Sequence, residues 1–253
     1  MIVFNTDLDN TIIFSYKHDI GNDKRNVEIY EGREISFITQ KTYKLLQRVK
    51  EEVLLVPTTT RTTEQYERID LGIGIPQYAL TYNGGVLLID GKENEDWYQE
   101  SLRLVESSKG ELEKSVELLE KEERRTLEVR NLKGLFIYTK CDEPEQVIAE
   151  LKTKLDTSIV DVFNNGVKVY VVPKTLTKGV AITRFKEYVK ADKIIAAGDS
   201  EFDVEMFKVA DVSIAPKKLS KIHELAKGTI VMPEEKVFSE EVLEYVLDNS
   251  ALL

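Results

Sequence analysis

Short apolar runs that end in polar residues, separated by stretches with helical periodicity, occupy both ends of the chain. The pattern predicts buried strands at residues 2–6, 53–56, 78–81, 193–197 and 212–214. It predicts helices after the capping residue Thr39 and at residues 63–71, 178–189, 203–209 and 239–248. Buried strands that alternate with helices are typical of a mostly parallel sheet covered on both faces. We therefore expect an α/β fold class.

Two segments depart from this alternation. Residues 27–30 and 34–38 alternate around a turn, which predicts a small β-hairpin. The middle of the chain predicts an antiparallel sheet with helices, with strands at 86–89, 126–129, 135–139, 159–163 and 168–172 and helices at 102–122 and 144–155. We interpret residues 86–173 as an α+β domain inserted into a core domain of residues 1–85 and 174–253. That core would be Rossmann-like, with three layers in the order α/β/α.

The composition restricts the partners that the protein can have. Its 253 residues include 35 basic and 45 acidic side chains, which gives a net charge of −10. An acidic surface disfavours nucleic acid and anionic membranes, so we expect neither as a partner. The single cysteine, Cys141, excludes an internal disulfide, and two histidines, His18 and His223, make a zinc site a poor fit.

The amino-terminal sequence and the lengths of the apolar runs bear on where the protein acts. No run approaches the roughly 20 residues that cross a bilayer, and the acidic Asp7 comes too early for a signal peptide. We expect a cytoplasmic protein. The sequence is compatible with a monomer or a small homo-oligomer.

Two aspartates directly follow the first apolar run. Asp7 and Asp9 stand where the strand should end, and such side chains point into the ligand crevice of an α/β sheet. Carboxylates held close together repel each other, and a divalent cation or a shared proton relieves the repulsion. A surface turn would also explain the pair. If a metal binds, oxygen ligands favour Mg²⁺ as the cofactor.

Polar residues recur after the other predicted core strands. The second strand is followed by Thr58, Thr59, Thr60 and Arg61. Hydroxyl groups at such a position can donate to phosphoryl oxygens, although a threonine there also suits a helix N-cap. The third strand is followed by Asn83-Gly84.

Two further clusters lie later in the chain. Lys178 stands at a helix start, against the helix dipole, which indicates a nearby anion; an exposed surface lysine is the alternative. Gly198 and Asp199 end a strand that should lie beside the strand of Asp7. Asp203 lies in the first turn of the next helix, where an aspartate is also a common stabilising cap.

Taken in order, these clusters resemble the four motifs of the haloacid dehalogenase superfamily. Residues 7–11 are similar to the first motif, Thr59 to the second, Lys178 to the third and residues 198–203 to the fourth. Their spacing resembles the subgroup with a type C2 cap domain, inserted between the second and third motifs. The chain is similar to Cof-like and sucrose-phosphate phosphatase-like members of that subgroup.

The resemblance implies a Mg²⁺-dependent phosphatase that acts on a small phosphorylated metabolite, with a sugar phosphate as the expected substrate. Asp7 would be the nucleophile that forms an aspartyl-phosphate, and Asp9 the general acid and base. The metal group would comprise Asp7, Asp9 through its backbone carbonyl, Asp199, and Asp203, which would orient Lys178 or a metal-bound water. Lys178 would stabilise the charge that develops on the phosphoryl oxygens.

Candidate substrate contacts come from both parts of the chain, and they are Thr58, Thr59, Arg61, Asn83, Gly84 and Arg130. The cap would exclude water and select the leaving group. Thr58 and Thr59 compete for the phosphate because Thr60 replaces a glycine common in the second motif; Thr59 is favoured. Asn10 replaces the usual glycine of the first motif, but asparagine tolerates many of the same backbone angles.

Two other functions stay open. Residues 128–131 loosely resemble the cap of phosphomannomutases, which implies a phosphomutase. Free phosphate as the product would indicate a hydrolase, and an isomerised sugar phosphate would indicate a mutase. A non-catalytic protein that binds a phosphorylated metabolite is the third possibility, against which the intact acidic residues and Lys178 argue.

Overall fold

The computed structural model describes residues 1–250. The chain divides into two compact units, one formed by Met1–Asn94 with Lys178–Leu253 and the other by Glu95–Thr177. Residues 251–253, which we expect in the core domain, lie outside the described residues.

The strands are β1 (Ile2–Thr6), β2 (Phe14–Ser15), β3 (Lys24–Tyr30), β4 (Arg33–Thr39), β5 (Leu54–Pro57), β6 (Tyr78–Thr81), β7 (Val86–Ile89), β8 (Lys92–Glu93), β9 (Arg130–Leu132), β10 (Phe136–Lys140), β11 (Val160–Asn165), β12 (Lys168–Pro173), β13 (Lys193–Ala197), β14 (Val212–Pro216) and β15 (Ile230–Met232). The helices are α1 (Gln40–Glu52), α2 (Thr63–Tyr66), α3 (Glu95–Val105), α4 (Lys109–Glu120), α5 (Pro144–Lys154), α6 (Lys178–Val189), α7 (Val204–Val209), α8 (Lys217–Ser220) and α9 (Phe238–Asn249).

The first unit is built on a parallel sheet, in which the described strands have the order β15-β14-β13-β1-β5. The last four residues of both β1 and β13 are buried. Because successive side chains of a strand point to opposite faces, both faces of this sheet are covered. Helices α1 and α9 pack together, as do α6 and α7. The expected α/β class and three-layer core are confirmed.

The register of the central strands explains why a site forms at one edge. Thr6 of β1 pairs with Ala197 of β13 and with Pro57 of β5. The residues that follow these three strands therefore leave the sheet at the same level. They include Asp7 and Thr58, and they bring the predicted first, second and fourth motifs to one edge.

A hairpin of β3 and β4 joins β2 in an antiparallel sheet of the first unit, in the order β2-β4-β3. Its two-residue turn has positive φ at Glu31 (49°) and Gly32 (73°), as hairpin turns matched to strand twist require. The predicted hairpin is confirmed and extends further at both ends. Strand β7 pairs with β6 and β8 within the first unit, so residues 86–89 do not belong to the insert, in which we expected them.

The second unit contains an antiparallel sheet, whose described strands have the order β11-β12-β10-β9. One buried cluster joins the sheet to two helices, with Leu112 and Leu119 from α4 and Val147 and Leu151 from α5. The expected α+β insert is therefore a compact unit with its own hydrophobic core.

Three predicted elements differ from the structure. The helix expected at 102–122 is divided into α3, a 3₁₀ turn and α4, because the serines and glycine of residues 107–110 have weak helix propensity. The helix expected at 63–71 is wrong beyond Tyr66, since the chain turns to bridge Ile69 with Glu28. The strand expected at 126–129 forms later, at β9.

None of the helices within residues 1–250 combines the length and the apolar character needed to cross a bilayer.

Candidate active site

Lys178 and Asp7 meet at the carboxyl edge of the parallel sheet. Asp7 follows β1, and its backbone N–H donates to the carbonyl of Ala197 at 2.9 Å. Lys178 begins α6, and its side chain is only 1% exposed. Its Nζ donates to Asp7 Oδ1 and to Asp203 Oδ1, both at 2.6 Å. A buried ammonium thus bridges two carboxylates from separate parts of the chain.

Asp203 fixes the loop that carries the fourth motif. Its Oδ2 accepts hydrogen bonds from the backbone N–H groups of Asp199 (3.0 Å) and Ser200 (2.9 Å) and from Ser200 Oγ (2.8 Å). A Cβ atom at Gly198 would lie 2.3 Å from Asp203 Cγ. Glycine at this position is therefore required by the close approach of Asp203. Both carboxylate oxygens of Asp203 already bind protein groups.

Three carboxylates converge at this edge. Asp7, Asp199 and Asp203 each offer an oxygen, and these atoms lie within 4.8 Å of one another. Asp199 Oδ2 also accepts a hydrogen bond from Lys218 Nζ at 2.8 Å. A set of hard carboxylate oxygens suits Mg²⁺. Because both oxygens of Asp203 are engaged, the carboxylates best placed to bind a cation are those of Asp7 and Asp199.

Burial governs the titration of the site. It raises the pKa of Asp7 well above its ordinary value; Lys178 acts in the opposite direction, while Asp203 and Asp199 add to the increase. Burial also raises the pKa of Asp199 to about 6, with Lys218 opposing it. For Lys178, the charges of Asp203 and Asp7 outweigh burial and raise the pKa. Positive charge close to Asp7 and Asp199 would therefore stabilise their ionised forms.

The carboxylate of Asp9 lies outside this acidic group and is bound by Arg61. The guanidinium donates from Nε to Asp9 Oδ2 and from Nη2 to Asp9 Oδ1, both at 2.7 Å. Its Nη1 donates to Glu28 Oε1 at 2.8 Å. Asn10, next in the chain, has a φ of 58°, which confirms that asparagine adopts the backbone conformation expected in place of glycine.

The two competing threonines differ in their hydrogen bonds. Thr58 Oγ1 accepts from Asn5 Nδ2 at 3.0 Å and donates to the carbonyl of Val56 at 3.2 Å. Thr59 Oγ1 accepts from the backbone N–H of Arg61 at 3.2 Å. The carbonyl of Thr59 accepts from the backbone N–H of Asn83 at 3.0 Å. Asn83, which is followed by Gly84, thus holds the second motif in place.

Arg130 lies in the second unit, on β9. It pairs with Glu128 at 2.6 Å, and its Nη1 donates to Tyr138 Oη at 3.1 Å. The guanidinium also lies 5.7 Å from the centre of the Tyr138 ring. Among the predicted site residues, the structure brings together Asp7, Lys178, Asp199 and Asp203. Asp9 and Arg61 form the ion pair beside them.

Sequence reasoning missed two residues at this edge, Glu28 and Lys218. Lys218 follows β14, the strand next to β13, so its position at a strand end is a signal that could have found it. The sequence signal for Glu28 is weaker, because a charged residue next to Val27 in a hairpin strand is expected on the solvent face. Its burial depends on contacts with distant parts of the chain.

Comparison with known proteins places the chain in a family. Residues 88–230, more than half of the chain, match the family model of haloacid dehalogenase-like hydrolases. The chain belongs to this family. A curated relative, phosphoglycolate phosphatase 2 from Saccharolobus solfataricus, is 43% identical over 58 residues, or 22% of this chain. That match spans only 25% of the length of the relative.

Solved structures of other proteins share the fold over nearly the whole chain. The sucrose-phosphatase from Synechocystis sp. PCC6803, solved with sucrose and phosphate, is 16% identical with a TM-score of 0.68; the match covers 98% of this chain and 97% of that one. A trehalose-6-phosphate phosphatase related protein is also 16% identical, with a TM-score of 0.57 and coverage of 100% and 99%. Together with the family match, this likeness in fold confirms the expected haloacid dehalogenase-like core with a C2-type cap domain.

Proposed function

We propose that the protein is a Mg²⁺-dependent phosphatase that hydrolyses a small phosphorylated metabolite, with a sugar phosphate as the substrate class. The observation that carries the proposal is the bridge from Lys178 to Asp7 and Asp203 beside the carboxylate of Asp199. Membership of the hydrolase family supports it. The match to a phosphoglycolate phosphatase supports a small phosphate ester as the substrate. The structural likeness to a sucrose-phosphatase and to a trehalose-6-phosphate phosphatase related protein supports a sugar phosphate.

Mg²⁺ would be held by the carboxylates of Asp7 and Asp199 and the backbone carbonyl of Asp9. When bound, the ion would supply positive charge that keeps Asp7 ionised and offsets the charge of the phosphate. Asp203 would act indirectly, since one of its oxygens fixes Lys178 and the other fixes the loop of Asp199.

In the first step, a carboxylate oxygen of Asp7 attacks phosphorus. A bond forms between that oxygen and phosphorus, and the bond from phosphorus to the ester oxygen breaks. Asp9 donates its proton to the departing oxygen, so the leaving group departs as a neutral alcohol. In the second step, the ionised Asp9 takes a proton from water. The water oxygen attacks phosphorus, and the bond to Asp7 breaks to release phosphate.

Lys178 and Thr59 would bind the phosphoryl oxygens. Within residues 1–250, two of the three N–H groups of Lys178 are engaged, by Asp7 and Asp203, which leaves the third for a phosphoryl oxygen. The hydroxyl of Thr58 already donates to the carbonyl of Val56. Among the residues that the structure describes, the hydroxyl of Thr59 accepts from the N–H of Arg61 and donates to no protein group, so its hydrogen can be donated to the substrate. We therefore assign the phosphate contact to Thr59.

A panel of sugar and polyol phosphates, assayed with Mg²⁺ and again with EDTA, tests this function. We expect metal-dependent release of inorganic phosphate from some members of the panel. Product analysis by phosphorus NMR separates the alternatives. An isomerised phosphate ester without free phosphate would indicate a mutase, and binding without turnover would indicate a non-catalytic protein.

A further inference from the structure

The side chain of Glu28, on the β3–β4 hairpin, is fully buried. The pairing of β3 with β4 shifts register on both sides of Glu28, and Val27 and Glu28 are both buried although they are successive residues. A β-bulge re-aims a side chain in this way. The amide of Asn26 stabilises the irregular backbone by donating to the carbonyls of Glu28 (2.9 Å) and Ser36 (3.0 Å). The hairpin is therefore built to direct a carboxylate inward.

The buried carboxylate is fully paired. Its Oε1 accepts from Arg61 Nη1 at 2.8 Å and from Arg68 Nε and Nη2, both at 3.2 Å. Its Oε2 accepts from Ser36 Oγ at 2.6 Å. Burial would raise the pKa of Glu28, but the hydrogen bonds from Arg61 and Ser36 outweigh it and lower the pKa. The buried group is thus an ionised partner for Arg61.

Arg61 transmits this restraint to Asp9. The guanidinium is planar and rigid, so a bond from Nη1 to Glu28 fixes the plane in which Nε and Nη2 meet the two oxygens of Asp9. The backbone of Arg61 is held as well, because its carbonyl accepts from the N–H of Tyr82 at 2.8 Å. The two parallel N–H groups of Arg61 match the two oxygens of an ionised carboxylate, which is the form in which Asp9 acts as a base.

We propose that Glu28 is a positioning residue for the proton transfers of Asp9, acting through Arg61. This inference rests on the proposed phosphatase function. It makes the β3–β4 hairpin part of the catalytic apparatus, since the orientation of Asp9 depends on a side chain that the hairpin delivers. A purely structural Glu28, which only ties the hairpin to Arg68, would affect stability and all substrates alike.

A leaving-group series separates these two roles. We would measure kcat and KM for 4-nitrophenyl, phenyl and 4-methoxyphenyl phosphate with the wild type, Glu28→Gln and Asp9→Asn. Glu34→Gln, an exposed position on the same hairpin, is the matched control. General acid catalysis contributes roughly 10²–10⁴-fold and matters most for poor leaving groups. The leaving group departs in the first step, which kcat/KM reports, whereas hydrolysis of the shared aspartyl-phosphate can limit kcat. We expect Glu28→Gln to lower kcat/KM for the phenyl and 4-methoxyphenyl esters by about 10-fold or more and for the 4-nitrophenyl ester by less than about 3-fold.

The expected pattern of kcat/KM for Glu28→Gln is therefore a weaker form of the pattern for Asp9→Asn. Equal losses across the three esters in a folded Glu28→Gln variant would overturn the inference while leaving the proposed function in place. The same selective loss in Glu34→Gln would also overturn it. A wild type that releases no phosphate from any ester or panel member would overturn the proposed function, and this inference with it.

Glu28→Asp keeps the test decisive if Glu28→Gln does not fold. It retains the buried negative charge but withdraws it by one methylene group from Arg61, Arg68 and Ser36 alike, since Arg61 and Arg68 share one carboxylate oxygen. We expect a melting temperature closer to that of the wild type and a selective loss between those of the wild type and Asp9→Asn. A uniform loss in Glu28→Asp would count against positioning.

Discussion

At the scale of single residues, the candidate site depends on two lysines that balance three carboxylates. Lys178 is buried and joins Asp7 to Asp203, whereas Lys218 pairs with Asp199 from a more exposed position. Buried carboxylates are costly unless they are paired. The two lysines should therefore contribute very differently to stability.

Lys178→Met tests this difference against Lys218→Met as the matched control. Loss of Lys178 leaves Asp7 and Asp203 buried without their shared partner, which we expect to lower the free energy of unfolding by about 3–5 kcal/mol. The Lys218 side chain is 52% exposed, and its loss unpairs one buried carboxylate, that of Asp199, where loss of Lys178 unpairs two. The loss of Lys218 should therefore cost less, about 1–2 kcal/mol. Urea denaturation with EDTA measures both, and similar losses for the two variants would contradict the assigned role of Lys178.

The raised pKa of Asp199 gives stability a defined pH dependence. The pKa of Asp199 is raised from the ordinary 3.8 to about 6 in the folded protein. At a pH between these two values, the folded protein holds a proton that the unfolded chain has lost, so this contribution to stability falls as the pH rises. Asp199→Asn removes the titration. In EDTA, we expect the free energy of unfolding of Asp199→Asn to rise relative to that of the wild type as the pH increases from about 4 to 7. The difference should reach about 2–3 kcal/mol. Parallel stability curves would contradict this.

At the scale of elements, the loop after β13 is fixed by one close approach. Asp203 lies against Gly198, where an ideal Cβ would meet Asp203 Cβ at 2.4 Å. The same aspartate binds the N–H groups of Asp199 and Ser200. Any displacement of Asp203 should therefore move both Lys178 and Asp199, because Asp203 binds both.

Gly198→Ala should displace Asp203 and disturb both stability and catalysis. We expect a loss of about 1–3 kcal/mol in the free energy of unfolding, as for other overpacked sites, together with reduced phosphate release. Gly110→Ala is the matched control, because a Cβ at Gly110 meets nothing within 4 Å; it should gain at most about 1 kcal/mol. A Gly198→Ala variant with normal turnover would argue against a tightly fixed loop.

Local sequence signals were sufficient for elements that depend on local interactions. Thr39 caps α1 as predicted, accepting a hydrogen bond from the N–H of Thr42, and β13 has the predicted bounds. Prediction was less successful where distant contacts determine structure. The chain leaves α2 early because Ile69 bridges Glu28, and strand periodicity does not reveal a bulge that turns Glu28 inward.

At the scale of the whole molecule, the site joins segments that are far apart in sequence. Asp7 and Lys178 are 171 positions apart, with the inserted unit Glu95–Thr177 between them in the chain. Motif spacing could predict which residues belong to the site, because the strand order of an α/β sheet brings their ends together. It could not predict the partners of Asp9 and Asp199, which follow from side-chain packing.

A cation that binds only the folded chain should stabilise the whole molecule by mass action. We expect Mg²⁺ to raise the melting temperature of the wild type, by an amount equivalent to about 2.7 kcal/mol at 100 times its Kd, and EDTA to reverse the effect. Asp199→Asn should reduce the shift strongly because a ligand is lost, whereas Glu34→Gln should keep it. Equal shifts in all three proteins would indicate binding elsewhere.

The central claim is that Asp7 becomes phosphorylated during turnover. Acid quenching of the protein with 4-nitrophenyl phosphate and Mg²⁺, followed by peptide mass spectrometry, tests it most directly. Asp9→Asn should accumulate the intermediate, because attack by water then lacks its base. We predict one added phosphoryl group on Asp7 in the wild type and in Asp9→Asn, and none in Asp7→Asn, which should stay folded and lose turnover. A phosphoryl group on another residue, or undiminished turnover by Asp7→Asn, would contradict the account.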